Sequence, residues 1–365
     1  MNSGLGDGWL ILHGGALGDL ALTVQFALRL PGVSPASTLT VISRVRLGDL
    51  SDCQPAVRCL SSDSIGAHWL HADSDSPPPA RLRELVAGAT VWNALTDERS
   101  VVHPRLLSLK PRALWSTDPR PEPGVEAHIT EQWRRRLERL GLSLPTGTFR
   151  RRDRTSLSVP ESLRQRGRRQ MNDALHYSSF ASRQMQADDR RVRDADPPDR
   201  LDGVNPPLPP AKTGVVLIHP GGGSRAKCWP LESFLSVARR VEAAGRAVAF
   251  VVGPVELDVW PRCDLDAIRS EFALLVPTHT DELAALLAGA AALLSNDSGP
   301  AHLAALLGTP TVTLFGPTSP TVWRPLGHAA RALEGQPDSH GRDWGVRTDE
   351  VVQTICTVGS CDINR

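Results

Sequence analysis

A short apolar strand that ends in a glycine turn and runs on into a helix occurs twice in this chain, and this pattern most narrows its possible folds. The first copy begins with the strand Trp9–His13. The glycines Gly14, Gly15 and Gly18 follow, and apolar residues then recur at helical spacing over Leu20–Leu30. Because a strand, a glycine turn and a helix open a βαβ unit, the N-terminal half is predicted to be an α/β domain with a parallel sheet.

The second copy begins with the strand Val215–His219. A turn with three consecutive glycines follows, and a predicted helix over Leu231–Ala244 starts after Pro230, a residue favoured at the first helical position. Later apolar runs alternate with helix-compatible segments, as they do in the first half. The C-terminal half is therefore predicted to form a second parallel sheet covered by helices.

The stretch between the two halves has a different composition. Residues 131–202 carry many arginines and few large apolar side chains, so they are not expected to build a core of their own, and a proline-rich linker follows. We predict a Rossmann-like domain over 1–150, an arginine-rich insertion and linker over 151–212, and a Rossmann-like domain over 213–365. The length of 365 residues suits two such domains facing each other across a cleft, with ligands at the carboxyl ends of the strands.

Composition argues against several classes of protein. The six cysteines form no C-x-x-C pair and no group with histidine at metal-ligand spacing, so we expect reduced thiols and no structural zinc. No cofactor is expected. A net charge of +1 argues against a nucleic-acid-binding protein. No apolar run approaches the length of a membrane span, and the first residues lack a basic lead, so a cytoplasmic location is expected.

The turn after the second strand carries a candidate anion site. Glycines allow backbone amides to approach a phosphate, Ser224 can donate a hydroxyl, and Lys227 supplies a positive charge just before a helix N-terminus. Lysine occurs at only three positions in the chain, which singles out this one further. The alternative is an ordinary glycine turn with a solvated lysine.

A second candidate segment, Ser295–His302, falls between a predicted strand and a predicted helix. Asn296, Asp297 or Ser298 could cap that helix, and the free amides near Gly299 would then point into the cleft. Capping does not account for His302, for which a packed, buried role and a functional role are equally plausible.

Two carboxylates, those of Glu256 and Asp19, are the remaining candidate site residues. Glu256 follows a strand and a glycine-proline turn, where it could accept both hydroxyls of a ribose or could be a solvated or helix-capping glutamate. Asp19 lies at the start of the first helix, where the helix dipole favours its ionised form. It could act as a general base at the cleft or serve only as a carboxylate at a helix N-terminus.

Four motifs in this order together resemble glycosyltransferase family 9, the ADP-heptose:lipopolysaccharide heptosyltransferases. They are GGALGDLALT, IHPGGGSRAKCWPLESF, FVVGPVE and LLSNDSGPAHLAALLGTPTVTLFGPTSPTVWRPLG. The resemblance covers about the first thirty residues and 213–327. It implies a GT-B fold, two Rossmann-like domains with the donor held mainly by the C-terminal one, and inversion at the anomeric carbon without a metal.

The resemblance also implies roles for particular residues. Asp19 matches the family's catalytic aspartate. The implied donor contacts are Ser224 and Lys227 for the diphosphate, Glu256 for the ribose, and Asp297, Ser298, Gly299 and His302 for the donor sugar and phosphate. Heptose carried by ADP is the best match for the donor, and a lipopolysaccharide core or another glycan, free or lipid-linked, is the expected acceptor.

Two other functions compete with this interpretation. A catalytically silent sugar-nucleotide-binding protein would share the same motifs. A nucleotide-dependent oxidoreductase is disfavoured because the first turn lacks G-x-G-x-x-G spacing and the second strand ends in Ser43-Arg44 without an acid for a ribose. The arginine-rich segment also has two interpretations: contact with an anionic membrane at the inner face of the cytoplasmic membrane, or a solvated insertion.

Overall fold

The computed structural model describes residues 8–72, 76–144, 155–193, 214–335 and 344–358. Its first half consists of β1 (Trp9–His13), α1 (Leu17–Ala27), β2 (Thr38–Ser43), β3 (Ala56–Ser61), α2 (Ala80–Val86), β4 (Thr90–Ala94), α3 (Val102–Ser108), β5 (Ala113–Ser116) and α4 (Ile129–Arg139). The five strands form one parallel sheet in the order β3-β2-β1-β4-β5. Every residue of β1 is buried, as expected for a central strand covered by helices on both faces.

The second half is built in the same way, after the long helix α5 (Glu161–Arg193). Its elements are β6 (Val215–His219), α6 (Leu231–Ala243), β7 (Ala247–Val251), α7 (Pro254–Val259), α8 (Arg262–Glu271), β8 (Ala273–Leu275), α9 (Thr280–Gly289), β9 (Ala292–Asn296), α10 (Gly299–Leu306), β10 (Thr311–Phe315), α11 (Pro320–Trp323), β11 (Ala330–Glu334) and α12 (Thr348–Val358). The six strands are parallel, in the order β8-β7-β6-β9-β10-β11.

Both sheets reverse their strand order at one point, between β1 and β4 in the first and between β6 and β9 in the second. Ligands of open parallel sheets bind outside the carboxyl ends of the strands at such a point. The predicted α/β class with two Rossmann-like sheets is confirmed. No helix within the described residues is both long and apolar enough to cross a membrane.

The arginine-rich segment is more ordered than its composition indicates. Helix α5 places Leu163, Gly167 and Met171 on one stripe at a spacing of four residues, and all three are buried, with α5 packed against α9. One apolar stripe is enough for a helix to pack against another helix. A segment that cannot form a core by itself can therefore still contribute to the core of an adjacent domain. The predicted proline-rich linker lies outside the described residues.

Gly167 allows the close approach of α5 to α9. A Cβ atom added there would lie 1.8 Å from the carbonyl oxygen of Ala285, which is backbone and cannot swing aside. Gly167→Ala is therefore expected to lower the free energy of unfolding by about 1–3 kcal/mol, although alanine favours the helix. Denaturant unfolding measures the loss. The control is Gln165→Ala on the exposed side of α5, and equal stability of the two variants would contradict this packing.

The two sheets are joined where α1 packs against α10. The contact is made by glycines: a Cβ on Gly18 would lie 3.0 Å from Cδ2 of His302, and a Cβ on Gly299 would lie 2.9 Å from Cβ of Leu17. Further along α1, the buried Gln25 donates from Nε2 to the carbonyl oxygen of Thr155 at 2.9 Å. The first turns of α1 and α10, both at switch points, therefore lie directly against each other.

Candidate active site

Asp19, in the first turn of α1, borders a cavity of about 670 Å³ on the N-terminal sheet. Its Oδ2 atom accepts a hydrogen bond from the backbone N–H of Ala16 at 3.3 Å. Asp19 therefore caps the helix and also lies half-buried beside open space. A role as a helix-terminal carboxylate and a role as a general base are compatible with this position. The predicted glycine turn brings Gly14 and Gly15 to the same cavity, while Gly18 faces α10.

His13, the last residue of β1, lies beside Asp19 and was not singled out by the sequence. It is 2% exposed, its Nδ1 atom is 3.3 Å from Oγ1 of Thr23, and its Nε2 atom has no hydrogen-bond partner among the described residues. A Cβ on Gly15 would lie 2.7 Å from this Nε2 and 2.8 Å from Oδ2 of Asp19. Gly15 therefore lies next to both the imidazole and the carboxylate, where a larger residue would collide with them.

Burial lowers the pKa of His13 to about 4, against the opposing effect of Asp19. His13 is therefore neutral at pH 7 in the folded protein. In the unfolded chain it takes up a proton near its ordinary pKa of about 6.5. As the pH falls from about 6.5 to 4, the unfolded state binds a proton that the folded state excludes, so the free energy of unfolding decreases.

His13→Asn is expected to remove this part of the acid sensitivity. Between pH 7 and pH 4, the free energy of unfolding of the variant should fall by up to about 3 kcal/mol less than that of the unsubstituted protein. Urea unfolding at a series of pH values measures the difference. Parallel curves for the two proteins over this range would show that His13 is not buried in its neutral form.

On the C-terminal sheet, Asp297 follows the end of β9 and contacts a histidine and a lysine. Its carboxylate lies 3.5 Å from Nε2 of His302 and 3.8 Å from Nζ of Lys227, and accepts a hydrogen bond from Oγ1 of Thr318 at 2.8 Å. Burial alone would raise the pKa of Asp297. The hydrogen bond and charge of His302, with Thr318 and Lys227, outweigh burial and hold this pKa below its ordinary value. Asp297 is therefore an anion that orients a lysine and a histidine at the start of α10.

Ser298 and Gly299 begin α10, as predicted: Ser298 is its N-cap residue and Gly299 its first helical residue. The Ser298 hydroxyl lies 2.8 Å from Oγ of Ser295 and 3.4 Å from Nδ1 of His219. It is directed to these side chains, and no hydrogen bond joins it to the helix that it precedes. The free amides of the first turn of α10 therefore remain available to an anion.

Glu256 is placed as a helix cap, one of the alternatives considered for it. It is 5% exposed, and its Oε2 atom accepts from the backbone N–H of Gly253 at 2.8 Å. Its Oε1 atom lies 3.8 Å from Nε2 of His219, whose pKa is lowered by burial against the opposing charge of Glu256. Glu256 also lines a cavity on the C-terminal side of the site. Its contact with a ribose stays a prediction.

A second cavity of about 390 Å³ lies on the C-terminal side of the α1–α10 contact. Its polar rim contains Gly222, Gly223, Ser298 and Gly299, and its mostly apolar wall is formed by Val251–Val255, Pro277 and Leu283. Ser224 and Lys227 do not line it: Ser224 is exposed, and the half-exposed Lys227 side chain reaches toward Asp297 from the short 3-10 helix Arg225–Lys227. Among the described residues, no three histidine, cysteine or acidic side chains are grouped to hold a metal.

The histidines His13 and His219 of the site were missed by the sequence analysis, which considered Asn296 only as a helix cap. His13 and His219 occupy matching positions, each the last residue of the first strand of its sheet and each followed by the glycine turn. The repeated order of strand, histidine and glycines in LHGG and IHPGG could have indicated both. Asn296 donates to the carbonyl oxygen of Pro220 at 2.8 Å, and its Oδ1 accepts from the backbone N–H of Trp229 at 3.1 Å. It therefore fixes the glycine turn.

Two Rossmann-like parallel sheets joined at their switch points, with a cavity on each side, define a GT-B protein. Residues 169–344 match the model of Glycosyltransferase family 9 (heptosyltransferase). The resemblance predicted from the motifs is confirmed over these residues, which make up just under half of the chain.

Curated relatives cover only part of this chain. Lipopolysaccharide heptosyltransferase 2 of Escherichia coli K12 is 45% identical over 113 residues, 30% of this chain and 32% of the relative. Lipopolysaccharide heptosyltransferase 3 of the same strain is 32% identical over 120 residues, 31% of this chain and 34% of the relative. The chain thus aligns with about a third of the length of the curated relatives that it matches.

Solved structures match over nearly the whole chain. A family 9 glycosyl transferase from Veillonella parvula superposes with a TM-score of 0.61 at 18% identity, covering 97% of both chains. E. coli ADP-heptose lps heptosyltransferase II superposes with a TM-score of 0.57 at 16% identity, covering 96% of this chain and 98% of the other. At these identities the likeness shows the fold, and it supports the predicted GT-B architecture.

Proposed function

We propose that this chain is an inverting, metal-independent glycosyltransferase that moves a sugar from a nucleoside-diphosphate donor to a glycan. The observation that carries the proposal is the position of the first turn of α1 between the two cavities. Gly15 and Asp19 border the N-terminal cavity, while Ala16, Leu17 and Gly18 border the C-terminal one. A transferase needs this arrangement, because its two substrates must meet at a single point.

The proposed reaction is a single displacement. The acceptor hydroxyl oxygen forms a bond to the anomeric carbon as the bond from that carbon to the diphosphate oxygen breaks, so the electron pair leaves with the nucleoside diphosphate. Asp19 accepts the hydroxyl proton as general base. Negative charge builds up on the departing diphosphate, and Lys227, His302 and the amides at Gly299 provide compensating donors.

For the donor we propose heptose carried by ADP, and for the acceptor a lipopolysaccharide core or a related glycan. Two solved structures of E. coli WaaC contain ADP and ADP-2-deoxy-2-fluoro heptose, and this chain superposes on them with TM-scores of 0.55 and 0.52. The apolar wall of the C-terminal cavity also suits the flat face of a nucleobase. The preference for ADP over other nucleotides rests on the relatives alone.

A screen of ADP-, GDP- and UDP-sugars for binding, hydrolysis and transfer tests the proposed function. Tight binding of one nucleotide sugar with turnover that persists in EDTA is the expected result. Binding without turnover in the presence of a range of glycan acceptors would favour a silent sugar-nucleotide-binding protein. Binding of a nicotinamide dinucleotide in place of sugar nucleotides would favour an oxidoreductase.

Contact with an anionic membrane at the cytoplasmic face also stays a proposal. It is supported by Arg166, Arg168 and Arg169, which are exposed along α5. Each arginine near an anionic surface contributes about 1 kcal/mol. Replacing Arg164 and these three with serine is expected to abolish salt-sensitive co-sedimentation with anionic liposomes and to spare activity on a soluble acceptor. Co-sedimentation independent of lipid charge and salt would instead leave α5 as a solvated helix.

A further inference from the structure

A buried histidine lies at the C-terminal cavity, between two parts of the proposed donor site. His219 is the last residue of β6, is 4% exposed and lines the cavity. It lies opposite Ser295 where β6 pairs with β9, at the switch point of the sheet. The proposed reaction assigns no role to this side chain.

The Nε2 atom of His219 faces the carboxylate of Glu256. It lies 3.8 Å from Oε1 of Glu256, while Oε2 accepts from the backbone N–H of Gly253 at 2.8 Å. The glycine turn also lies against Oε1, since a Cβ atom on Gly221 would collide with it. The carboxylate is thus fixed by a backbone amide, a glycine and an imidazole.

The Nδ1 atom of His219 faces two hydroxyls before the start of α10. It lies 3.4 Å from Oγ of Ser295 and 3.4 Å from Oγ of Ser298, and these two oxygens are 2.8 Å apart. Ser295 also donates to the carbonyl oxygen of Asn296 at 3.0 Å. Since each hydroxyl has one proton, Ser298 is the residue whose proton is free for Ser295 and the imidazole.

The partners of His219 indicate which ring nitrogen carries the proton. Burial lowers the pKa of this imidazole, against the opposing charge of Glu256, so the ring is neutral at pH 7. A neutral imidazole has one N–H donor and one acceptor nitrogen. Because a carboxylate only accepts, the proton belongs on Nε2, and Nδ1 accepts from Ser298. One ring therefore orients both a carboxylate and a hydroxyl.

The hydroxyl of Ser298 has a competing position at the helix that it precedes. A serine at an N-cap accepts from the backbone N–H of the second or third helical residue, and in α10 only Ala301 offers one, because Pro300 has no N–H. That bond would occupy an amide that could otherwise bind an anion. The contact with His219 keeps the hydroxyl away from this amide.

We propose that His219 is a positioning residue of the donor site, which orients Glu256 toward the ribose and holds the Ser298 hydroxyl away from the α10 amides that receive the diphosphate. The inference rests on the proposed glycosyltransferase function and adds to it a residue that acts on the donor through its neighbours. Loss of either ring nitrogen should therefore affect a different part of the donor.

Asparagine and glutamine separate the two contacts, because their amide groups reach the positions of Nδ1 and Nε2, respectively. Calorimetric titration compares ADP with 2′,3′-dideoxy-ADP, which reports on the ribose, and with adenosine, which reports on the phosphates. His219→Asn should reduce the preference for ADP over the dideoxy analogue about tenfold and keep the preference over adenosine. His219→Gln should show the reverse pattern.

His103→Asn is the matched control, because His103 lines neither cavity and also contacts a serine through Nδ1, at 2.8 Å from Oγ of Ser116. Both preferences should be unchanged in it. Ser298→Ala tests the second contact with His219 left in place. It removes the competing hydroxyl, so the preference for ADP over adenosine should be kept, and adding His219→Gln to it should cause no further loss.

Equal loss of both preferences in His219→Asn and His219→Gln, or no loss in either, would overturn the positioning role. A weaker preference for ADP over adenosine in Ser298→Ala would overturn it as well, since the hydroxyl would then contact the phosphates directly. This last variant decides the matter if the His219 variants do not fold. If the unsubstituted protein bound no nucleoside diphosphate and transferred no sugar, the proposed function would fail instead.

Discussion

Replacing Asp19 with asparagine is expected to lower the turnover for sugar transfer by about two to four orders of magnitude. The affinity for the donor should stay nearly unchanged. Asp19 borders the N-terminal cavity, whereas the proposed donor site is the C-terminal cavity, on the other side of the first turn of α1. The amide oxygen of asparagine can also accept the hydrogen bond from the backbone N–H of Ala16, so the fold should be unaffected. Steady-state transfer kinetics and donor titration measure both quantities.

Asp52→Asn, at an exposed aspartate that lines neither cavity, is the control for this substitution. It should transfer sugar at the rate of the unsubstituted protein. If the Asp19 variant retained more than about a tenth of that turnover, a general base at this position would be ruled out.

Lys227→Ala is expected to weaken binding of the free nucleoside diphosphate by about ten- to a hundredfold, the range of a hydrogen bond to a charged group. It should slow transfer as well, since charge on the diphosphate increases as the bond to the sugar breaks. Lys227→Arg should restore only part of both effects, because a planar guanidinium does not replace a compact ammonium beside Asp297. Calorimetric titration with ADP and transfer assays in EDTA give the two readouts.

The neighbouring cation Arg225 provides the control for Lys227. Arg225 pairs with Asp264 at 2.6 Å and stacks on Trp260, so it is held away from the carboxylate of Asp297. Arg225→Ala should therefore leave ADP affinity nearly unchanged. Equal ADP affinity in the Lys227→Ala variant and the unsubstituted protein would contradict a role for Lys227 at the diphosphate.

The strands and helices next to the glycine turns were predictable because their apolar periodicity is strong. Val215–His219 and Thr311–Phe315 form strands over the predicted residues, and Thr280–Gly289 forms the predicted helix. Helix α5 was not predicted, since its apolar stripe is a single line of residues among many arginines. Only the surface of α9, which is distant in sequence, turns that line into a core contact.

For the candidate site too, residues within one motif were predictable and others were not. Residues within one motif, such as Asp297 and His302, were predicted together because they follow a single strand. His13 was not predicted, although it lies in the same motif as Asp19, because the motif does not show that its imidazole is buried and neutral. Glu256 shows a further limit: a short motif does not determine whether a carboxylate caps its own helix or faces a ligand.

The glycine contact between α1 and α10 also affects how the two halves can move. At this contact the side chain of His302 lies over Gly18, and the side chain of Leu17 lies over Gly299. The two helices touch closely at these glycines, so a rotation of one half against the other would have its pivot here. Asp19 and His302 lie within a few residues of that pivot and would keep their separation during the rotation. The outer walls of both cavities would move apart and admit the substrates.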